Sequence, residues 1–448
     1  MHPLNIAVVG SGISGLSAAW LLDKRHDVTL FEADDRLGGH TNTVVMDVDG
    51  ASVPVDTGFI CFNEGAYPNL TALFDYLDVP VHETSMSFGV SLAGAAYEYS
   101  GGTYHGLLAQ PSLALSPRYW KMIGEIVRFF REAVPSLETL DEETSLRDWL
   151  RAGDYSNDFL HRHLLPMAGA IWSSAAGDML DHPAASFIRF FANHGLLSVD
   201  GRPKWGTVKG GAREYVDRLL DDGRLAIETG RGVQRILRGP DGVRLVFGDG
   251  RVRRFDQVVV AAHADQALAM LDAPTAAEDR LLGAFRYTPN TAVLHRDARL
   301  MPRRKRAWAS WNYLDFEPLE GRTRGAEQLC LTYWMNSLQH LETDRDVFVT
   351  LNPPEDMTIE HEAARFQYAH PVFDGPATAA QRALWSLQGE GGVWYCGAHF
   401  GHGFHEDGLQ SGLAVAEQLG GVRRPWNVAN ESGRIHLDAP ALLAQAAE

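Results

Sequence analysis

The apolar positions of this chain fall into short continuous runs bounded by turn residues, with longer amphipathic stretches between them. Ile6, Val8 and Val9 make one such run and Val28 to Phe31 another, the pattern of strands buried on both faces of a parallel sheet. Runs at Leu225 to Glu228, Thr291 to His295, Leu329 to Trp334 and Val347 to Leu351 read as further strands. Two stretches read as helices. Arg118 to Val134 interleaves Trp120, Ile123, Val127, Phe129 and Phe130 with Arg118, Lys121, Arg128 and Arg131, and Asp141 to Leu150 opens on acidic residues with Leu146, Trp149 and Leu150 at helical spacing. The last residues, Ala439 to Glu448, read as a loose helix or tail.

Between the first two strands stand Gly10, Gly12 and Gly15, a G-x-G-x-x-G set placed where a strand turns into a helix. Gly10 permits the tight turn, Gly12 lets the backbone approach a pyrophosphate at the positive end of the helix, and Gly15 lets helix and sheet pack closely. Ser11 and Ser14 add hydroxyl donors. The second strand ends at Glu32, whose carboxylate is placed to accept both hydroxyls of an adenosine ribose and would repel a 2′-phosphate. These features predict a dinucleotide, FAD or NAD rather than NADP.

The segment Glu32-Ala33-Asp34-Asp35-Arg36-Leu37-Gly38-Gly39-His40-Thr41 resembles the E-x-x-x-R-x-G-G segment of flavoproteins of the amine oxidase and phytoene desaturase superfamily. The resemblance implies FAD, with the arginine and paired glycines around its pyrophosphate. Three further segments resemble the same superfamily. Val55-Asp56-Thr57-Gly58-Phe59 is similar to the D-x-G-x segment that brings backbone against the flavin ring, and Gly232-Val233-Gln234-Arg235-Ile236 to the strand that holds the adenine edge. Trp394-Tyr395-Cys396-Gly397 and the stretch from Gly408-Leu409 to Ala416 are similar to the closing FAD strand and helix. Ala262 is placed with the same cofactor, and Ala398-His399 stands where relatives usually carry an acidic residue. The FAD is expected to be non-covalent, because no cysteine lies in a recognised attachment context.

What the resemblance implies about architecture is an α/β fold, with a Rossmann-like FAD-binding domain assembled from residues 1–75, 205–275 and 380–425. The inserts at 76–204, largely helical, and 276–379, with strand-like runs, would form an α+β substrate domain, and 426–448 a C-terminal tail. Composition is compatible with this: 448 residues, 45% hydrophobic and 22% charged, suffice for a large core and on length suggest about two to three domains. A formal charge of −17 argues against general nucleic-acid binding. Cys61, Cys330 and Cys396 are too few and too dispersed for a disulfide framework or a thiolate metal site. With no bilayer-length apolar stretch and no signal peptide ahead of the first strand, a cytoplasmic protein is expected, with peripheral contact to the membrane face as an addition.

Phrases such as Pro166 to Ser174, Asn193 to Leu197, Met301 to Tyr313 and Gly403 to Gly408 resemble a bacterial subgroup of FAD proteins often encoded beside cyclopropane-fatty-acyl-phospholipid-synthase-like methyltransferases. That resemblance implies a lipid or fatty-acyl substrate and a methyltransferase partner. Two segments bear on a lipid surface. The Arg118 to Val134 helix either packs on its own core or lies on an anionic membrane, and Arg303-Arg304-Lys305-Arg306, flanked by Met301, Trp308 and Trp311, is either a solvated loop or a headgroup site.

His399, His402 and His405 with Glu406 and Asp407 sit among glycines, which reads as a flavin-facing polar loop rather than a metal site. The expected reaction is dehydrogenation of an acyl chain, hydride passing to flavin N5 while a base takes the neighbouring proton. His405, His295 and the carboxylate of Glu406 are the candidate acid/base groups, and Asn63, Tyr67, Tyr333 and Trp334 the candidate substrate contacts. Two alternatives share the scaffold: a flavin amine oxidase, and a flavin electron-transfer subunit serving a lipid-modifying methyltransferase.

Overall fold

The computed structural model describes residues 2–141, 143–172, 179–198, 203–316 and 330–437. Asn5–Val9 lies between Asp27–Phe31 and Gln257–Val260 in a parallel five-stranded sheet whose outer strands are Ala226–Glu228 and Val393–Tyr395. Asn5–Val9 and Asp27–Phe31 are buried after their first residue, as continuous apolar runs require when both faces of a sheet are covered. Every residue of the helix Ile13–Leu22 is buried, and it packs against the helix His405–Gly420. Gly412 permits that contact, and Gly15 permits the approach of the first helix to the strand end. A Cβ on Gly412 would lie 2.2 Å from the carbonyl oxygen of Ser14, and one on Gly15 would lie 1.9 Å from that of Gly10. The third glycine of the set therefore closes the first helical turn onto the end of the strand, with no room for a side chain.

A second, seven-stranded sheet runs in the order Ala364–Val372, Arg286–His295, Phe348–Leu351, Cys330–Trp334, Trp311–Leu314, Phe88–Leu92, Tyr97–Ser100. It is antiparallel except where Trp311–Leu314 meets Phe88–Leu92. Its last two strands come from the region expected to be largely helical. A small antiparallel sheet, Val233–Gly239, Gly242–Phe247 and Val252–Phe255, is separate from both.

The Arg118 to Val134 expectation corresponds to the helix Pro117–Ser136, opened by Ser116, whose hydroxyl accepts from the Tyr119 amide. The second predicted helix begins later than its acidic residues suggested. Ser145 is the cap, accepting from the Asp148 amide, and the helix is Leu146–Ala152. A hydroxyl that caps the amide three residues on outweighs acidic composition in setting the start. Ser173 and Ser174, residue Leu329 and the whole predicted stretch Ala439 to Glu448 lie outside the described residues.

Candidate functional site

The carboxyl ends of the parallel strands open on one cavity of ≈ 1160 Å³, where Val9, Phe31, Ala261 and Gly397 reach its wall. A ligand crevice at that edge is what a doubly wound sheet provides. Gly10, with φ +104°, and Gly12 form the turn, and nothing lies within 4 Å of the Cβ position on Gly12. Gly12 also leaves the Ile13–Leu22 helix without a side-chain cap, so its first amides are available to an anion. Ser11 and Ser14 line the same turn.

Glu32 is already oriented. Its Oε2 accepts from the Ser11 amide at 2.9 Å and the Ser11 hydroxyl at 2.5 Å, and its Oε1 accepts from the Asp34 amide at 3.0 Å. Ala33, Val233 and Ala262 line the cavity beside it. Arg36 does not line the cavity; its Nη1 donates to the Gly39 carbonyl at 2.8 Å and so shapes the loop. Gly38 and Gly39 have positive φ, and a Cβ on Gly39 would meet the Cα of Gly12 at 3.1 Å, which brings the two glycine turns together.

Further along, a Cβ on Gly58 would lie 2.1 Å from the His40 carbonyl oxygen. Phe59 stacks on His405 with ring centres 3.9 Å apart. The His405 Nε2 is held at 3.0 Å by the Thr41 hydroxyl and at 2.9 Å by that of Tyr215. Burial lowers the His405 pKa to about 3, so the ring is neutral. Gly397 and Gly408 reach the wall, whereas Leu409 is buried behind it.

His40, His263, His370 and His399 gather in the same part of the cavity. Desolvation lowers all four, His370 to about 4 and His399 to about 3. The Nε2 atoms of His40 and His399 are buried without a hydrogen-bond partner in the protein. Unpaired buried imidazole nitrogens beside a glycine cradle and open helix amides are the complement of a large polar ligand, so the residues present fit FAD. Of this group the sequence marks His40 as a contact and places His399 in a flavin-facing loop. His263 had a signal, since it follows Ala262 at the strand end, but nothing local marks His370 or Tyr215.

Four candidate residues do not reach the cavity wall. His295 is fully buried between two strands of the seven-stranded sheet, its Nε2 paired with the Thr350 hydroxyl at 2.7 Å and its Nδ1 accepting from the Asp297 amide. It is a satisfied core histidine and does not line the cavity. Glu406 is buried too, and its carboxylate accepts from the Asn69 amide and side chain, the Leu70 amide and the Gln410 side chain. It ties the helix Pro68–Tyr76 to the helix His405–Gly420, which is why adjacency to His405 in sequence misled. Asn63 turns its side-chain oxygen to the Ala66 amide, and Trp334 donates to Asp346. Neither lines the cavity, whereas Tyr67 and Tyr333 do.

The other half of the cavity is made of side chains. An aromatic wall of Trp172, Phe190, His194 and Phe404 includes Phe190 stacked on His194 at 3.8 Å and on Phe404 at 4.8 Å. Beyond it lie Leu107, Ile123, Ile126, Phe130, Met167 and Ile171. Among the described residues, the charged groups on the cavity lining are Glu32, Arg231 and the exposed pair Lys204–Glu83. Among the described residues no group of three His, Cys, Asp or Glu side chains is arranged to hold a metal ion.

Residues 13–344 match the flavin containing amine oxidoreductases. The chain belongs to this family, and FAD is its cofactor. The Mycobacterium tuberculosis protein AofH, assigned as a flavin-containing monoamine oxidase, is 26% identical over 280 residues, and the match spans 60% of either chain. Among solved structures, putrescine oxidase bound to putrescine superposes with a TM-score of 0.66 at 15% identity, over 93% of this chain and 99% of that one. A CLA-producing fatty acid isomerase from P. acnes superposes with a TM-score of 0.61 at 14% identity, over 93% and 98%. At such identities these two likenesses concern the amine oxidoreductase fold alone. Among the described residues no helix is long and apolar enough to cross a membrane.

Proposed function

We propose that this family member is a FAD-dependent oxidoreductase that dehydrogenates a lipid or fatty-acyl chain. The observation that carries the reading is the apolar half of the cavity, where Leu107, Ile123, Ile126, Phe130, Met167 and Ile171 continue the space beside His405 and Phe59. Each methylene buried there contributes ~0.8 kcal/mol, so an alkyl chain gains along its whole length. Among the described residues, an ammonium group in the same place would meet no carboxylate except Glu83, which is paired with Lys204 at 3.3 Å. The relatives' names favour an amine; the fatty acid isomerase shows that the same fold also accommodates an acyl chain.

FAD, when bound, supplies the two-electron acceptor for a hydride leaving carbon. The chain's own residues do the rest. Gly10, Gly12 and the open amides of the Ile13–Leu22 helix would hold the pyrophosphate, Glu32 the ribose, and Gly58, Phe59 and Gly408 would lie against the ring. Of the three acid/base candidates only His405 is at the cavity, where the Thr41 and Tyr215 hydroxyls fix its plane. The apolar wall excludes water from the carbon that reacts.

The test is anaerobic mixing of the yellow protein with detergent-dispersed bacterial phospholipid on one side and putrescine or cyclohexylamine on the other. Bleaching of the flavin by lipid, with a product lighter by two hydrogens, supports dehydrogenation. Bleaching by amine alone would replace the proposal with the amine reading, and a lipid product of unchanged mass would make the reaction an isomerisation.

A further inference from the structure

The helix Pro117–Ser136 does two things at once. Its inner face carries Tyr119, Met122, Phe129 and Ala133 into the core, while Trp120, Ile123, Val127, Phe130 and Val134 follow at i, i+3, i+7, i+10 and i+14 on a second stripe. Within that stripe Ile123, Val127 and Phe130 line the cavity, yet Val127 is 40% exposed, with Trp120 at 47% and Val134 at 44%. The cavity therefore reaches the surface along this helix. Next to it, Leu115 is 88% exposed and Tyr104 is 87% exposed, the latter on the short helix whose Leu107 carbonyl accepts from Tyr119. Water-facing leucine, tyrosine, tryptophan and valine at the mouth of an apolar cavity form a patch that calls for a cover.

Charge says what covers it. In a chain with a formal charge of −17, this helix carries Arg118, Lys121, Arg128 and Arg131. Of its two acids, Glu125 is buried and accepts from Ser156, which leaves Glu132 at the surface. Lys121 and Arg131, both exposed, each lie one or four residues from a member of the apolar stripe and border it, whereas Arg128 turns to Glu132 and the Tyr155 ring. An apolar stripe with a half-exposed tryptophan and a basic border is the surface of a helix that lies in the headgroup layer of an anionic bilayer. The run Arg303 to Arg306 is a poorer candidate: the buried Glu98 collects the Arg303 amide and both the amide and guanidinium of Arg304, and Lys305 lies over Trp308.

We propose that the exposed stripe of the Pro117–Ser136 helix, with Leu115 and Tyr104, docks on an anionic membrane surface, so that the cavity mouth opens into the bilayer edge and a lipid chain passes in without crossing water. This deepens the lipid reading and rests on it only for what passes through the mouth. The experiment is co-sedimentation of the holoprotein with vesicles containing about 30% phosphatidylglycerol in phosphatidylcholine, against pure phosphatidylcholine. The comparison variant is Leu115→Ser/Lys121→Gln/Arg131→Gln, all exposed and outside the cavity.

The parent is expected to bind the anionic vesicles, the variant at least tenfold less, with added salt mimicking the loss. Trp120 emission should shift to the blue on binding, a shift absent in Trp120→Phe. An unchanged flavin spectrum, and unchanged flavin reduction by detergent-dispersed phospholipid, will show that the variant is folded. Docking is overturned if the parent ignores anionic vesicles, if it binds neutral ones equally, or if the variant binds as the parent does. Dimerisation of the parent that the variant abolishes would assign the face to a second copy and also overturn it. Vesicle binding without reduction by any lipid leaves docking standing and removes the lipid-substrate reading instead.

Discussion

The two halves of the cavity are built in opposite ways. At the nucleotide half, residues close in sequence are close in space: Gly10 to Ser14, Glu32 and Gly39 lie at the turns of two strands and one helix and the loop that follows, and much of the contact surface is backbone. At the apolar half the wall comes from Leu107, Ile123 to Phe130, Met167, Ile171 and Phe190, with Trp311 and Tyr333 from a distant strand pair. A backbone cradle demands glycine at fixed spacings: a Cβ on Gly10 or Gly15 would collide with backbone, and one on Gly12 would fill space open to the ligand. An apolar wall accepts many side chains of suitable size, so it leaves no spacing to read.

That contrast predicts unequal sensitivities. The largest effect belongs to Gly15→Val, because a Cβ there would stand 1.9 Å from the Gly10 carbonyl oxygen. The cost should lie at or above the upper end of the ~1–3 kcal/mol typical of overpacking. Colourless or insoluble protein is the expected outcome, and a yellow, monodisperse variant would refute the close packing of turn and helix.

Acid is the next lever, and it acts on both halves. His194, His399 and His405 are lowered to about 3 and His163, His182, His295 and His370 to about 4, all by burial. With folded values below the unfolded ~6.5, their contribution is fully present above that pH and is lost as pH falls toward 4 and then 3. The melting temperature should decline steadily below pH 6.5, with release of flavin; a flat profile down to pH 4 would contradict the buried neutral histidines.

Smaller effects separate the halves. Glu32→Ala removes a charged acceptor and should weaken FAD retention by about 1.5–3 kcal/mol, roughly ten- to a hundredfold, measured by dialysis of the yellow protein. Phe130→Ala should leave FAD retention unchanged and raise the lipid concentration needed for flavin reduction, by on the order of tenfold if about 1.5 kcal/mol of alkyl contact is lost. Equal loss of FAD in both variants would erase the distinction. The smallest effect on turnover is expected for His295→Asn, which breaks a buried pairing with Thr350 and costs about 1–2 kcal/mol in melting experiments while reduction of the flavin proceeds at the parent rate.

By itself the sequence determined the parallel sheet, the glycine turn, the acid at the end of the second strand and hence the cofactor. These are local consequences of sterics: a βα turn that meets a pyrophosphate has few solutions, and each leaves glycine and an acid in register. Tertiary structure alone decided which chemistry-bearing side chains meet. His295 and Glu406 carry the right groups, but one is inside a sheet and the other ties two helices together, whereas His263, His370 and Tyr215 arrive at the site from three separate elements. A pairing of that kind depends on how sheets and helices stack over hundreds of residues, and no short window of sequence contains it.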